Sequence, residues 1–276
     1  MTGLKIKEVK CKSALSECGF SAGSFCINPY IGCGHACQYC YARFMKRFVG
    51  HNEPWGSFVD VKINIADVLE KQIKSPKYKN KLIYIGTVTD PYQPLESKYK
   101  LTRKILEVLV KYQNPIEILT KSNLVLRDID LLKKFKNLEV NFTINTLDEK
   151  WRKLVEPYSS SIKERLDAAE KLSEEGIKIV AMMGPYWPFF TDPEKLFKEF
   201  KKAGFGYLFT ESFNMTGGNW SGVDKVLKKH YPKLLPNMRE IMLNKNNFDK
   251  FYSEAEKKVR YLSKKHKLPI NIHFKR

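Results

Sequence analysis

Three cysteines within eight residues constrain this chain more than any other feature, because Cys33, Cys37 and Cys40 follow one another with a C-x3-C-x2-C spacing. Thiolates so close together in one loop can converge on one soft-metal centre. Three ligands on a four-iron cluster leave one iron without a protein ligand, so that iron can hold another molecule. Gly32 and Gly34 allow the loop to curl and allow backbone N–H groups to approach the sulfides of such a cluster.

Two other interpretations of these cysteines remain open at this point. A zinc ion could use the three thiolates with His35, but structural zinc is usually built from two separated knuckles, and no cysteine follows Cys40. A disulfide pair would suit a secreted protein. The chain begins with a lysine-rich segment that has no apolar stretch behind it, so we expect no signal peptide, no membrane span and a reducing, cytoplasmic setting.

Composition limits the architecture and suggests a partner. The chain has 276 residues, of which 43% are hydrophobic, enough for one large domain with or without an appendage. The net charge of +19 suits a polyanion such as nucleic acid. Lysine spread along the whole chain would also result from a general bias toward lysine on helix surfaces, so both interpretations stand.

Strand-like and helical segments alternate after the cysteine loop. Apolar runs predict six strands, at 25–27, 82–87, 115–120, 138–145, 177–183 and 206–211, with helical patterns between them. Such alternation predicts an α/β fold with a parallel sheet and right-handed crossovers. We expect an N-terminal extension at residues 1–24, a main domain at 25–215 and a basic, helical C-terminal tail at 216–276.

The longer motif around the cysteines carries a family resemblance. The stretch from Asn28 to Arg43 reads NPYIGCGHACQYCYAR. It resembles the signature of the radical S-adenosylmethionine (SAM) superfamily, and within it the spore photoproduct lyase-like branch. The resemblance implies a partial, six-stranded TIM-like barrel and a 4Fe–4S cluster on Cys33, Cys37 and Cys40. It also implies that an electron from the reduced cluster cleaves SAM to a 5′-deoxyadenosyl radical, which abstracts hydrogen from a substrate.

The resemblance directs attention to residues that follow the strands, because chemistry in barrels occurs at the carboxyl ends of strands. Tyr39 is expected to offer a flat face beside the open iron, and a lysine like Lys121 meets the SAM carboxylate in this family. The remaining candidates are polar or small residues at strand ends. Thr87, Thr89 and Asp90 are expected near the SAM ammonium, Thr143 and Asn145 near its ribose or carboxylate, and Gly184 near its adenine.

One departure from the family limits what the resemblance implies. Spore photoproduct lyase carries a cysteine, in a Cys-Thr-Ser-Asp stretch, that is thought to return a hydrogen atom to the product. Here the segment reads Thr87-Val88-Thr89-Asp90, and a hydroxyl is a poor hydrogen-atom donor beside a thiol. We therefore expect radical SAM chemistry without the lyase reaction itself.

Three functional hypotheses follow from these observations. The first is a radical SAM enzyme acting on nucleic acid or a nucleotide-like molecule, served by an electron donor of the flavodoxin or ferredoxin type. The second keeps the chemistry but assigns a small metabolite or peptide as substrate. The third is a metal-stabilised nucleic-acid-binding protein without catalysis. Aromatic residues Tyr186, Trp187 and Trp220 form a platform for a stacked base if they face the mouth of the barrel. Cys11, Cys18 and Cys26 are expected to be buried and inert.

Overall fold

The computed structural model describes residues 3–215 and 218–275. Met1, Thr2, Thr216, Gly217 and Arg276 lie outside the described residues, and the predicted boundary at residue 216 falls among them. The strands are β1 (Lys5–Val9), β2 (Leu15–Glu17), β3 (Phe25–Ile27), β4 (Tyr30–Ile31), β5 (Phe58–Lys62), β6 (Ile83–Ile85), β7 (Ile116–Thr120), β8 (Leu138–Thr143), β9 (Lys178–Met183), β10 (Tyr207–Glu211) and β11 (Ile270–His273).

The helices lie mainly between the strands of the large sheet and after its sixth parallel strand. They are α1 (Lys46–Val49), α2 (Ile65–Gln72), α3 (Glu96–Tyr99), α4 (Leu101–Leu109), α5 (Ile129–Leu132), α6 (Glu149–Val155), α7 (Ile162–Glu174), α8 (Pro193–Lys202), α9 (Trp220–His230), α10 (Leu235–Leu243) and α11 (Lys245–His266), with short 3-10 helices at Tyr41–Met45, Pro76–Tyr78 and Asn123–Asp128.

A mostly parallel sheet organises the molecule and confirms the predicted α/β class. Its described strands run in the order β11-β10-β9-β8-β7-β6-β3-β2, and only β2 pairs antiparallel to its neighbour. The six predicted strands are all present, as β3 and β6 to β10. The described sheet has two strands more than predicted, because β2 and β11 extend its two edges. The partial-barrel shape stays a prediction.

A second, three-stranded sheet has the order β1-β5-β4 and leads into the cysteine loop. β1 pairs parallel to β5, and β4 pairs antiparallel to it. Residues 5–9, part of the predicted N-terminal extension, are therefore hydrogen-bonded to the segment that follows the cysteines. The sequence analysis missed β1 because its lysines and glutamate leave no apolar alternation to detect.

The C-terminal tail combines helices with a strand. The helix predicted from apolar spacing is α11, which buries Phe248, Tyr252, Ala255, Val259 and Leu262. The chain then returns as β11, which pairs with β10 from Leu208↔Ile270 to Glu211↔His273. The prediction of a purely helical tail is wrong in this respect. Because β11 adds directly to the large sheet, the tail completes that sheet and does not stand apart from it.

The two faces of the large sheet differ in burial. Alternate residues such as Ile85, Ile118, Val140 and Ala181 belong to the hydrophobic core. The residues between them on the strands point to the opposite face by the period of two. This opposite face, which we call the open face, carries half-buried side chains, among them Tyr84, Glu117, Glu139, Asn141, Phe209 and Glu211.

Two helix starts confirm capping signals in the sequence. Ser161 and Glu164 form a capping box at the beginning of α7, and Asp192 accepts hydrogen bonds from the backbone at the beginning of α8. In the described part of the chain, no helix combines the length and apolar character that a membrane span requires.

Candidate active site

The three cysteines lie in one loop directly after β4. Cys33 and Cys37 are buried and Cys40 is half-buried. The turns between them are closed by backbone hydrogen bonds from Ala36 N to Cys33 O at 3.2 Å and from Cys40 N to Cys37 O at 3.3 Å. The loop depends on Gly32, which has φ +82°, and a Cβ there would come 2.4 Å from the carbonyl oxygen of Phe58. Only glycine fits that position.

Burial raises the pKa of all three thiols. The pKa of Cys33 rises to about 12 through desolvation and the nearby carboxylate of Asp90. Burial also raises the pKa of Cys37 and Cys40, while the ammonium of Lys121 opposes the rise at both. A bound cation deprotonates coordinating thiols outright. The thiols therefore suit a site that becomes charged only when metal is bound.

Within residues 3–215 and 218–275, no three His, Cys, Asp or Glu side chains are grouped to hold a metal ion. A tetrahedral zinc site needs four donors at about 2.0–2.3 Å from one point. The Nδ1 atom of His35 lies 3.2 Å from the carboxylate of Asp90. The zinc interpretation, with His35 as fourth ligand, stays an alternative.

Thr89 supports the cysteine loop through hydrogen bonds. Its hydroxyl donates to the carbonyl of Gly32 at 2.6 Å and accepts from the side-chain amide of Gln93 at 3.1 Å. Gln93 in turn accepts from Gly34 N at 2.7 Å. These hydrogen bonds position the loop, and the predicted contact of Thr89 with the SAM ammonium stays a prediction. Gln93 shares that task and was missed.

Asp90 connects the ends of two strands and has no free oxygen for a ligand. One carboxylate oxygen accepts from Thr120 Oγ1 at 2.8 Å and Tyr92 N at 2.9 Å. The other accepts from Lys121 N at 2.8 Å and lies 3.2 Å from His35 Nδ1. Burial alone would raise the pKa of Asp90, but His35 and Lys121 lower it to about 2. Asp90 therefore anchors Lys121 and the cysteine loop.

Thr87 lies at the same strand end but bonds to neighbouring protein groups. Its side-chain oxygen accepts from the amide of Asn28 at 3.0 Å, and its carbonyl oxygen accepts from the hydroxyl of Tyr41. The ring of Tyr41, which follows the last cysteine, is 38% exposed at the edge of the site. Thr87 thus fixes a tyrosine that the sequence analysis did not select.

Lys121 is the cation whose position most favours a bound anion. The lysine is half-buried at the end of β7, and its ammonium lies 5.9 Å from the centre of the Tyr39 ring. Among the described residues no carboxylate comes within ion-pair distance of it. Desolvation lowers its pKa, but the negative groups at Cys37, Glu156 and Asp90 raise it overall. Lys121 is therefore charged and available to a ligand.

Tyr39 is packed more tightly than expected for a ligand platform. The residue is buried, its hydroxyl donates to the carboxylate of Glu156, and its ring meets Trp187 edge-on at 5.5 Å. Glu156 is itself fully buried in an ion pair with Arg165. Burial would raise the pKa of Glu156, but Arg165 and Lys121 lower it. Glu156, which the sequence analysis did not select, thus fixes the ring of Tyr39.

The remaining strand-end candidates lie on neighbouring strands of the same edge. Thr143 is buried at the end of β8, and its carbonyl accepts from Arg165 at 2.8 Å. Asn145, also buried, donates from its side-chain amide to the carbonyl of Gly184 at 3.2 Å. A Cβ on Gly184 would come 2.7 Å from Cγ of Glu211. The side chain of Glu211 therefore lies against Gly184, and the predicted contact of Gly184 with adenine stays a prediction.

The proposed aromatic platform is wrong for two of its three members. Trp187 is fully buried and packs against Trp151 and Phe213, and Tyr186 is 5% exposed. Only Trp220 is half-buried. The two buried rings form core packing below the site, which is the commoner use of clustered aromatics.

The other cysteines are free thiols at the far edge of the sheet. Cys18 and Cys26 are buried and Cys11 is half-buried. Burial raises the pKa of Cys26 to about 12, with Thr87 and Cys18 as hydrogen-bonding neighbours. The prediction that these three cysteines are shielded holds for Cys18 and Cys26. A surface cavity of about 990 Å³ lies elsewhere, between α6, α7 and α8, and contains none of the candidate residues.

The fold and the cysteine loop together define a class of protein, and comparison with known proteins agrees. The model of the Radical SAM superfamily matches residues 27–200. The chain belongs to this superfamily, whose members are SAM-dependent enzymes, and the resemblance seen in the cysteine motif is confirmed.

Individual relatives extend over most of the chain. The uncharacterized protein MJ0683 of Methanocaldococcus jannaschii is 38% identical over 252 residues, covering 91% of this chain and 92% of that protein. The Radical SAM Nalpha-GlyT isomerase of Pseudomonas phage M6 is 24% identical over 212 residues, covering 74% of this chain and 43% of that protein.

Among solved structures, spore photoproduct lyase complexed with dinucleoside spore photoproduct has a similar fold. The TM-score is 0.69 at 17% identity, with 98% of this chain and 82% of that chain covered. At this identity the likeness concerns the fold, and the fold is that of a radical SAM enzyme.

Proposed function

We propose that this chain is a radical SAM enzyme in which Cys33, Cys37 and Cys40 each bind one iron of a 4Fe–4S cluster. When bound, the cluster supplies the electron that cleaves SAM to a 5′-deoxyadenosyl radical, which abstracts hydrogen from the substrate. The observation that carries the proposal is the trio of thiols in one loop, two buried and one half-buried, beside the ammonium of Lys121, which has no ion-pair partner among the described residues.

The residues of the chain divide into those that meet SAM and those that position them. Lys121 pairs with the carboxylate of SAM, because it is the unpaired cation beside the cysteine loop. Thr143 and Asn145 lie at the next strand end and are suited to the ribose or carboxylate. Asp90 and Thr89 act through Lys121 and the loop backbone, and Tyr39 gives the loop a packed support through Glu156.

The substrate in this proposal is nucleic acid or a nucleotide-like molecule. The net charge of +19 supports a polyanionic partner. A donor of the flavodoxin or ferredoxin type would deliver the electron in the cytoplasm, where thiols stay reduced. The lyase reaction itself is not proposed, because Thr87 stands where that enzyme has its cysteine. The second candidate is the same radical chemistry on a small metabolite or peptide, which the few exposed aromatics at the site would also permit.

The test begins with anaerobic purification and reconstitution with iron and sulfide. We expect a brown protein that, once reduced, converts SAM to 5′-deoxyadenosine. Cys37→Ala should abolish iron binding and SAM cleavage, whereas the matched variant Cys18→Ala should retain both, because Cys18 follows β2 and lies outside the cysteine loop. A colourless, zinc-loaded wild type would contradict the proposal and favour a non-catalytic binding protein. Equal loss in both variants would mean that the cysteines are assigned wrongly.

A further inference from the structure

Glu211 is a carboxyl at the site edge that no protein group uses. It is the last residue of β10 and projects from the open face, at the same carboxyl edge of the sheet as Lys121. The Glu211 side chain is half-buried, and its carboxylate has no hydrogen bond and no ion pair within the described residues. The other carboxylates at this edge, those of Asp90 and Glu156, are fully engaged by neighbours.

The local backbone makes room for this side chain. Gly184 ends the turn after β9, and any larger residue there would collide with Cγ of Glu211 at 2.7 Å and with its Oε1 at 3.2 Å. The glycine therefore permits the Glu211 side chain to extend across it. A side chain given this space, without a protein partner at its end, is placed to meet a ligand.

The charges around Glu211 show what kind of group it suits. Burial raises the pKa of Glu211 to about 7, and Lys121 opposes the rise without forming an ion pair. Burial raises the pKa of Tyr41 and of Tyr252, and the charge of Glu211 adds to both shifts. Among the described residues no cation forms an ion pair with this carboxylate. A hydrogen-bond donor on a ligand would therefore stabilise its charged form.

We propose that Glu211 recognises the substrate by accepting a hydrogen bond from one of its N–H groups. In this arrangement Lys121 binds the carboxylate of SAM, and Glu211 binds a nitrogen donor of the substrate. An amine or the N–H edge of a nucleobase provides the same chemistry. The inference rests on the proposed function only in placing the substrate at this edge of the sheet.

The experiment measures binding and does not require turnover. Equilibrium dialysis of the anaerobic, reconstituted protein with SAM uses labelled cytidine, thymidine and glycinamide as probes, with N3-methylthymidine as the analogue that lacks the ring N–H. We expect at least one N–H probe to bind, and its affinity to fall about tenfold in Glu211→Gln, because a charged acceptor is replaced by the weaker, neutral amide oxygen of glutamine. The probe that is weakened distinguishes a nucleobase from an amine.

Glu117→Gln is the matched control, since Glu117 lies on the same open face and burial likewise raises its pKa to about 7. Its affinity for the probes should stay within about twofold of wild type. Equal binding by wild type and Glu211→Gln would overturn the proposal, as would the absence of binding by all three N–H probes. If thymidine is the probe that binds, equal binding of N3-methylthymidine would also overturn it. Thermal unfolding checks that Glu211→Gln is folded. Failure of SAM cleavage in a protein that binds the probes would contradict the proposed function alone.

Discussion

The positioning residues of this site share one physical task, which is to hold charged or reactive groups without solvent. Asp90 bonds to the backbone of Lys121, Thr89 to the carbonyl of Gly32, and Glu156 to the hydroxyl of Tyr39. Each uses a buried acceptor or donor that would be costly to leave unpaired. The side chains selected from the sequence as ligand contacts therefore include several that instead position the loop and the lysine.

Gly32 offers a direct test of the loop at the scale of one residue. Gly32→Ala introduces a Cβ at φ +82°, only 2.4 Å from the carbonyl of Phe58. We expect a loss of roughly 2–4 kcal/mol in the free energy of unfolding, from the left-handed backbone and the overlap together. The variant should also hold less iron after reconstitution. Urea denaturation and iron analysis measure the two effects.

The control for this substitution is Gly50→Ala. Gly50 also has a positive φ, of +68°, but a Cβ there meets no atom within 4 Å. The free energy of unfolding of Gly50→Ala should fall by only about 1 kcal/mol, which is the cost of the left-handed backbone without an overlap. The iron content of this variant should match wild type. Equal stability of the two alanine variants would contradict the close approach of Phe58 to the loop.

At the scale of elements, strand register decides which side chains meet. Glu117 of β7 pairs in register with Glu139 of β8, and both project from the open face. Burial, followed by the charge of Glu139, raises the pKa of Glu117 to about 7. A carboxyl whose pKa is raised by folding destabilises the protein once it must ionise. The penalty is absent below its unfolded pKa of about 4.3 and grows as the pH rises toward 7.

Glu117→Gln should therefore stabilise the protein in a pH-dependent way. At pH 8 we expect a gain of about 1–3 kcal/mol, and at pH 4 almost no difference from wild type, because the glutamate is then neutral in both states. Thermal unfolding at the two pH values measures the effect. A gain of the same size at pH 4 would show that ionisation of Glu117 is not its cause.

Pairing between distant strands also bears on which strands the sequence analysis missed. The six strands that lie in apolar runs were predicted. The strand β11 was overlooked although Ile270 and Ile272 alternate with polar residues, because it is only four residues long. The strand β1 was not predicted because it has no such alternation and is held by hydrogen bonds to β5. Pairing with a partner distant in the sequence leaves little signal within the segment itself.

At the scale of the whole molecule, the excess of positive charge contrasts with the carboxylates on the open face. The net charge is +19, whereas Glu117, Glu139 and Glu211 share one face of the sheet. A polyanion is attracted to the protein as a whole. Glu117 and Glu139 lie near the starts of β7 and β8, whereas Glu211 is the last residue of β10, so a group bound at the carboxyl edge of this face meets the carboxylate of Glu211. This contrast suits a nucleic acid held by its phosphates that presents a nitrogen-bearing base to the site.

Salt dependence tests this contrast. If phosphates are bound by surface lysines, affinity for a short single-stranded DNA should fall by at least about tenfold between roughly 50 and 200 mM salt, because counterions are released on binding. Thymidine, which has no phosphate, should show almost no salt dependence. Fluorescence anisotropy for DNA and dialysis for thymidine measure the two. No binding of DNA at low salt would contradict the nucleic-acid assignment and favour a small metabolite or peptide.

The sequence by itself determined the superfamily, the α/β class and the cysteine trio, because these depend on local spacing and on periodic burial. Only the tertiary structure decided which strand-end residues are free. Thr89 and Asp90 bond to Gly32, Thr120 and Lys121, which come from other segments, whereas the Glu211 carboxylate has no partner among the described residues. Whether a polar side chain is satisfied depends on what surrounds it in space, and that is a property that no local pattern contains.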